Sequence, residues 1–129
     1  MFKFFLFIVF YFTICVNALS QKSVEKSYYS NGKVSAIIQT IKGIREGRAK
    51  WFYENGQLQV TGIFKNGKEH GLWRGYHFNG KRAHRSQLDY GIQNGYYKLY
   101  NKLGKLEKID YYRKGVLIKS IKFNHNMIN

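Results

Sequence analysis

Three sets of glycines recur at a 24-residue interval, and no other feature of the chain limits its fold so tightly. Gly32, Gly56, Gly80 and Gly104 form the first set and Gly43, Gly67, Gly91 and Gly115 the second; Gly47, Gly71 and Gly95 form a third, until Lys119 takes the next place. A registered period of this length marks a repeat protein whose units bury their apolar surface by stacking on one another. The rest of the unit keeps step. Four residues before each first-set glycine stands an aromatic residue, Tyr28, Phe52, Tyr76 or Tyr100, and immediately before it stands Asn31, Asn55 or Asn79, with Leu103 in the last copy.

Asn-Gly between two runs of alternating apolar and polar residues is a strong local signal for a β-hairpin, because both residues tolerate positive φ. Each repeat therefore reads as strand, Asn-Gly turn, strand, and a second glycine-bearing turn such as Asn66-Gly67-Lys68-Glu69-His70-Gly71. The expected fold is all-β: an antiparallel meander of about eight strands in about four stacked hairpins. The eight glycines of the first two sets are its structural turn residues. A three-residue loop ending in a glycine bulge sets Phe52 opposite Leu58, whereas a two-residue loop sets it opposite Gln59. Burial favours the longer loop. One face would then carry Tyr28, Phe52, Tyr76, Phe78, Tyr100, Val34, Leu58, Leu106, Phe64, Leu88 and Tyr112. Asn101-Lys102-Leu103-Gly104, the glycine lost at Lys119 and the polar tail 124–129 read as a cap that discourages edge-to-edge pairing.

The N-terminus has its own signature. Met1-Phe2-Lys3 precedes an apolar run from Phe4 to Phe12, continued by Ile14, Cys15 and Val16, and small residues follow. This is the layout of a secretory signal peptide over residues 1–20, cleaved after Ala18 or after Ser20. Its apolar stretch of about 13 residues is shorter than the roughly 20 that a membrane-spanning helix needs. No transmembrane span is expected after cleavage, and the protein is placed outside the cytoplasm, secreted or in the periplasm or envelope. Cys15 is the single cysteine, so residues 21–123, the repeat domain, must hold together without disulfides or a thiolate metal site. There is no proline, whereas Gly, Tyr and Phe number 13, 11 and 10, a composition suited to strands and turns.

With 22 Lys and Arg against 7 Asp and Glu, the net charge is +15. Such a surface attracts anions. Lys26, Lys50, Arg74, Lys98 and Lys122 keep the 24-residue interval, and by strand alternation each shares a face with the aromatic residue two places later. Cations spaced by two strands, roughly 9.5 Å, beside Phe52, Tyr76 and Tyr100 form the candidate ligand-binding face. Its expected partner is a protein or an anionic envelope component, a lipid headgroup or glycan. The leader ranks nucleic acid behind these. The competing reading is that the lysines only border an apolar face, their stems packed and their charges in water.

Trp51-Phe52-Tyr53-Glu54-Asn55-Gly56-Gln57-Leu58 and Asn66-Gly67-Lys68-Glu69-His70-Gly71-Leu72-Trp73 resemble the bacterial MORN-variant repeat. That repeat has an aromatic pair, a Glu-Asn-Gly turn, an Asn-Gly-Lys turn and a Gly-Leu-Trp strand start. The resemblance covers residues 27 to about 122 and implies a hairpin meander used as an interaction module, with no catalytic residue and no cofactor. Many relatives are labelled antitoxins, which implies a second expectation: an immunity-type protein that neutralises a toxin by direct binding.

Nothing in the chain suggests an enzyme. Its acidic residues, Glu25, Glu46, Glu54, Glu69, Asp89, Glu107 and Asp110, are scattered, and most fall near turns or at expected exposed strand positions. They supply no paired carboxylates for acid and base chemistry. His70, His77 and His84 lie seven apart, but a turn position for His70 and opposite faces for the other two give no convergent ligands, so no metal is expected. Trp51 and Trp73 read as packing residues.

Overall fold

The computed structural model describes residues 21–124; the expected leader and residues 125–129 of the expected polar tail lie outside them. Ten strands follow one another: β1 (Lys22–Tyr28), β2 (Val34–Ile41), β3 (Ile44–Phe52), β4 (Leu58–Lys65), β5 (Lys68–Tyr76), β6 (Arg82–Asp89), β7 (Ile92–Gln93), β8 (Gly95–Tyr100), β9 (Leu106–Arg113) and β10 (Val116–Lys122). All belong to one open antiparallel sheet in chain order, with β7 paired to β6 beside β8. The count exceeds the expected eight partly because β7 and β8 are two pieces of a single crossing, parted at Asn94, whose N–H bonds the Gln87 carbonyl at 2.9 Å. Among the described residues no helix covers either face.

Two kinds of turn alternate. At the first glycine set the loop has three residues: Tyr53 N–H donates to the Gln57 carbonyl and Gly56 N–H to the Tyr53 carbonyl, both at 2.8 Å. Gly56 there has φ +90°, the left-handed bulge position that closes such loops. The asparagine before it has a structural duty that the motif alone does not explain, since Asn55 Oδ1 accepts the Gln57 N–H at 3.0 Å. Asn31 and Asn79 do the same for Lys33 and Lys81. In the last copy, where Leu103 replaces that asparagine, Asn101 Oδ1 accepts the equivalent Lys105 N–H at 3.0 Å. The segment Asn101–Gly104 is thus an ordinary turn of the series rather than part of a cap.

At the second glycine set the turn is shorter than Asn66 to Gly71. Lys65 pairs with Lys68, leaving Asn66 (φ 51°) and Gly67 (φ 76°) as a two-residue loop. Two successive positive φ values define the type I′ turn, whose twist matches that of the flanking strands. Gly71 falls inside β5, and His70 is a strand residue rather than a turn residue. Two glycines of the third set make room for side chains, whereas the space at Gly71 is open: the Gln39 side chain crosses Gly47 where a Cβ would sit, and its Oε1 accepts the Arg48 N–H at 2.7 Å. Gln87 crosses Gly95 in the same way.

Successive turns are bonded along both margins of the sheet. Gly67 N–H reaches the Arg45 carbonyl, Gly91 N–H that of Glu69 and Gly115 N–H that of Gln93, at 2.9, 2.7 and 2.8 Å. On the opposite margin the Tyr29 and Tyr53 hydroxyls donate to the Phe52 and Tyr76 carbonyls at 2.6 and 2.8 Å, and His77 Nε2 lies 2.9 Å from the Tyr100 carbonyl.

The expected single apolar face is divided by a second set of bulges. Phe52 does pair with Leu58, but the register then shifts, so that Val60 pairs with Trp51 and Phe64 with Gly47. A bulge sets two residues against one and re-aims the chain beyond it. Phe64, Leu88 and Tyr112 therefore leave the row of Tyr28, Phe52, Tyr76 and Tyr100 and join the opposite, packed face. Phe78 belongs to neither strand row; it lies exposed in its turn, edge-on to the Tyr53 ring at 5.4 Å.

The packed face holds the core: Ile38, Ala49, Phe64 and Trp73, with Trp51, Val60 and Leu88 against them. Phe64 meets Trp73 edge-on at 5.3 Å and Trp51 lies 5.8 Å from Trp73. The Trp73 indole fills the space above Gly62, where any Cβ would collide with it. The sheet thus buries the Trp73 ring by lowering one residue to glycine.

At the C-terminal edge the expected cap is described only in part, because residues 125–129 lie outside the described residues. Lys119 sits at a register shift, and β10 exposes Val116, Leu117, Ile118 and Ile121.

Candidate functional site

On the face opposite the core, strand pairing places one residue from each crossing in a straight row. Lys26 pairs with Ile37, Ile37 with Lys50, Lys50 with Thr61 and Thr61 with Arg74. Arg74 pairs with Arg85, Arg85 with Lys98, and Lys98 with Ile109. Four of the five residues of the expected ladder are thus brought together, across six strand steps or roughly 29 Å. Lys122 is not: the shift between Leu117 and Lys119 sets it opposite Lys108, on the packed face, and Ile121 takes its place beside Ile109. The 24-residue interval holds for Lys122, but strand alternation does not survive a bulge.

Arg85 belongs to the row although the period gives no hint of it, since the equivalent positions are Ile37, Thr61 and Ile109. Loop length alone does not reveal it, because that pairs Arg74 with His84. A three-residue turn plus one bulge makes Arg85 the partner of Arg74.

Arg74, Arg85 and Lys98 are consecutive cross-strand partners of like charge, an arrangement that destabilises a sheet. The ion pairs among the described residues are His70–Asp89 and Lys108–Asp110, so no carboxylate neutralises the row. Lys26, Lys50 and Arg85 are exposed, and Arg74 and Lys98 half-buried. Two residues along each strand lie the rings. Phe52, Tyr76 and Tyr100 are half-buried and Tyr28 is exposed, with the Arg82 guanidinium 5.5 Å from the centre of the Tyr100 ring. On the other flank stand Val24, Arg48, Leu72 and Tyr96. The positive charge is therefore concentrated in a line bordered mainly by apolar and aromatic side chains.

Among the described residues one carboxylate is buried, on the packed face and away from the turns and exposed strand positions expected for most of the acidic residues. Asp110 is 2 % exposed, receives the Ser120 hydroxyl at 2.6 Å and pairs with Lys108 Nζ at 2.8 Å. The hydrogen bond from Lys108, then that from Ser120, holds its pKa below the usual carboxyl value, and burial opposes them more weakly. The same bond raises the Lys108 pKa. Paired and screened in this way, Asp110 is a structural anion.

His84 lies over Gly75 and stacks on Tyr97 at 6.0 Å. Burial lowers its pKa, and coulombic interaction with His77 lowers it further; the register shift that pairs His84 with Gly75 sets it on the face of His77, two residues beyond Gly75, so the two histidines are not on opposite faces as expected. Among the described residues no three His, Cys, Asp or Glu side chains converge as a metal site would require.

A family model of the MORN repeat variant matches residues 23–42 and 45–66. No curated protein and no solved structure gives a match. The two matched stretches are hairpins, β1 with β2 and β3 with β4, and their turn hydrogen bonds recur in β5 with β6 and in β8 with β9. Residues 23–42 and 45–66 are therefore MORN-variant repeats, and the hairpins that follow them are built on the same turn.

Proposed function

We propose that the protein is a non-enzymatic binding module of the cell envelope or secreted space, whose open face takes an anionic envelope component or an acidic protein. The observation that carries this reading is the run Arg74, Arg85 and Lys98 on adjacent strands with no acidic partner. Local arrangements that cost stability without a folding benefit are characteristic of functional surfaces. A bound anion offsets the repulsion, and the neighbouring rings supply apolar contact. Placement outside the cytoplasm rests on the leader-like residues 1–20.

The test is binding to envelope extract and to purified anionic ligands at rising salt. Affinity falls steeply with ionic strength, and replacing Lys50, Arg74, Arg85 and Lys98 together by Gln removes it while the melting temperature holds or rises. Unchanged binding by that variant refutes the reading. Neutralisation of a toxin is the second reading, and one acidic protein docked on this face would satisfy both. It predicts a stoichiometric complex with a single protein and protection on co-expression.

A further inference from the structure

The geometry of the row points to a ligand class: we propose that the open face binds a linear acidic polysaccharide carrying one anionic group per disaccharide, laid across the strands. The proposal rests on the anion-binding reading above and goes further by using its spacing. Lys26, Lys50, Arg74 and Lys98 occupy every second strand position of the row, an interval of roughly 9.5 Å. Two sugar units of an extended, β-linked chain cover nearly that distance. A carboxylate or sulfate on every second sugar then meets a cation at each step.

Three further features favour such a chain over other polyanions. First, the cations form a line. The flanking positions Val24, Leu72 and Tyr96 on one side and Tyr28, Phe52, Tyr76 and Tyr100 on the other carry no charge, with Arg48 and Arg82 as the additions. A membrane presents headgroups over an area, whereas a polymer presents them along its axis. Second, the rings keep the same interval as the cations, so a sugar whose acid group sits on Arg74 has the Tyr76 ring beside it. The carbon-bound hydrogens of a pyranose face pack on such a ring, and its hydroxyls remain in water. Third, Arg85 lies midway between Arg74 and Lys98. Three donors there serve a single disaccharide interval and make it the anchor of the site. A nucleic acid carries charge on every unit, at about 3.4 Å per residue of a duplex strand, more densely than the row provides.

The test measures binding of the purified protein to hyaluronan oligosaccharides, which carry a carboxylate on every second sugar. The comparison ligands are polygalacturonate, acidic at every sugar, single-stranded DNA, phosphatidylglycerol vesicles and neutral cello-oligosaccharides. Hyaluronan octasaccharide should bind about tenfold more tightly than the tetrasaccharide, a difference of about 1.4 kcal/mol. Lys50→Gln should remove most of that gain and leave the tetrasaccharide unaffected, whereas Arg85→Gln should weaken both. Circular dichroism and thermal melting of each variant separate lost binding from lost fold. Equal binding of all soluble polyanions per unit charge overturns the spacing argument and leaves the anion-binding reading standing. A preference for DNA or for vesicles overturns the glycan assignment. Binding to none of them overturns this proposal alone if the charge-dependent partner in envelope extract persists, and both if it does not.

Discussion

The middle of the packed face and its C-terminal end occupy the same columns of the repeat and are built from opposite chemistry. In one column Ile38, Gly62, Ser86 and Asp110 succeed one another, and in another Ala49, Trp73 and Tyr97. The middle is a contact of Trp51, Phe64 and Trp73 over Gly62. At the end stands Asp110, held by Lys108 and Ser120. The difference teaches that a column fixes which way a side chain points, while its neighbours fix what it must be. In the middle, paired strands on both sides surround a large ring. Among the described residues only β10 follows β9, and there a hydrogen-bonded ion pair fills the place that apolar packing fills elsewhere.

If packing carries the middle, Trp73→Ala is the most damaging of the substitutions considered. It should cost about 3 kcal/mol, read from urea denaturation, and a loss below about 1 kcal/mol would show that the sheet's main-chain bonds dominate. If hydrogen bonding carries the end, Asp110→Asn should cost about 1–2 kcal/mol at neutral pH. A carboxyl with a lowered folded pKa contributes stability above its unfolded value, near 3.9, and loses that contribution as pH falls through the folded value. Acid denaturation below about pH 4 should therefore be shallower in Asp110→Asn than in the wild type, and identical acid limbs would dissolve the contrast between the two regions.

The smallest effect concerns His84, which lies between them. Its lowered pKa means that the folded state resists protonation, so stability contributed above the unfolded value of about 6.5 declines as pH falls below it. The decline should stay below about 1 kcal/mol, the ring being partly exposed. His84→Phe, which keeps a ring over Gly75, should abolish it. A slope unchanged by this substitution would trace the titration to another group.

The turns were legible because each demands particular residues: Asn55-Gly56 and Asn66-Gly67 announce reversals that the main chain then makes. Loop length was legible as well, and with it the pairing of Phe52 with Leu58. The bulges were not. Val60 and Phe64 lie beyond a register shift that no residue type announces, so the row assigned to one face was divided between two. The same blindness misplaced Lys122 and hid Arg85, because a period records equivalence between repeats and says nothing of partners within one. Asp110 escaped notice for a related reason. Its burial depends on Ser120 and Lys108, which reach it only once β9 and β10 are paired.

The hydrogen bonds that join one turn to the next along both margins have a metric consequence. With Gly67 fastened to Arg45, Gly91 to Glu69 and Gly115 to Gln93 on one side, and Tyr29, Tyr53 and His77 fastened on the other, neighbouring hairpins are kept from fanning apart at either rim. The sheet then behaves as a ruler with graduations of constant width. Inserting or deleting one 24-residue unit would change how many marks it bears and leave the distance between them alone.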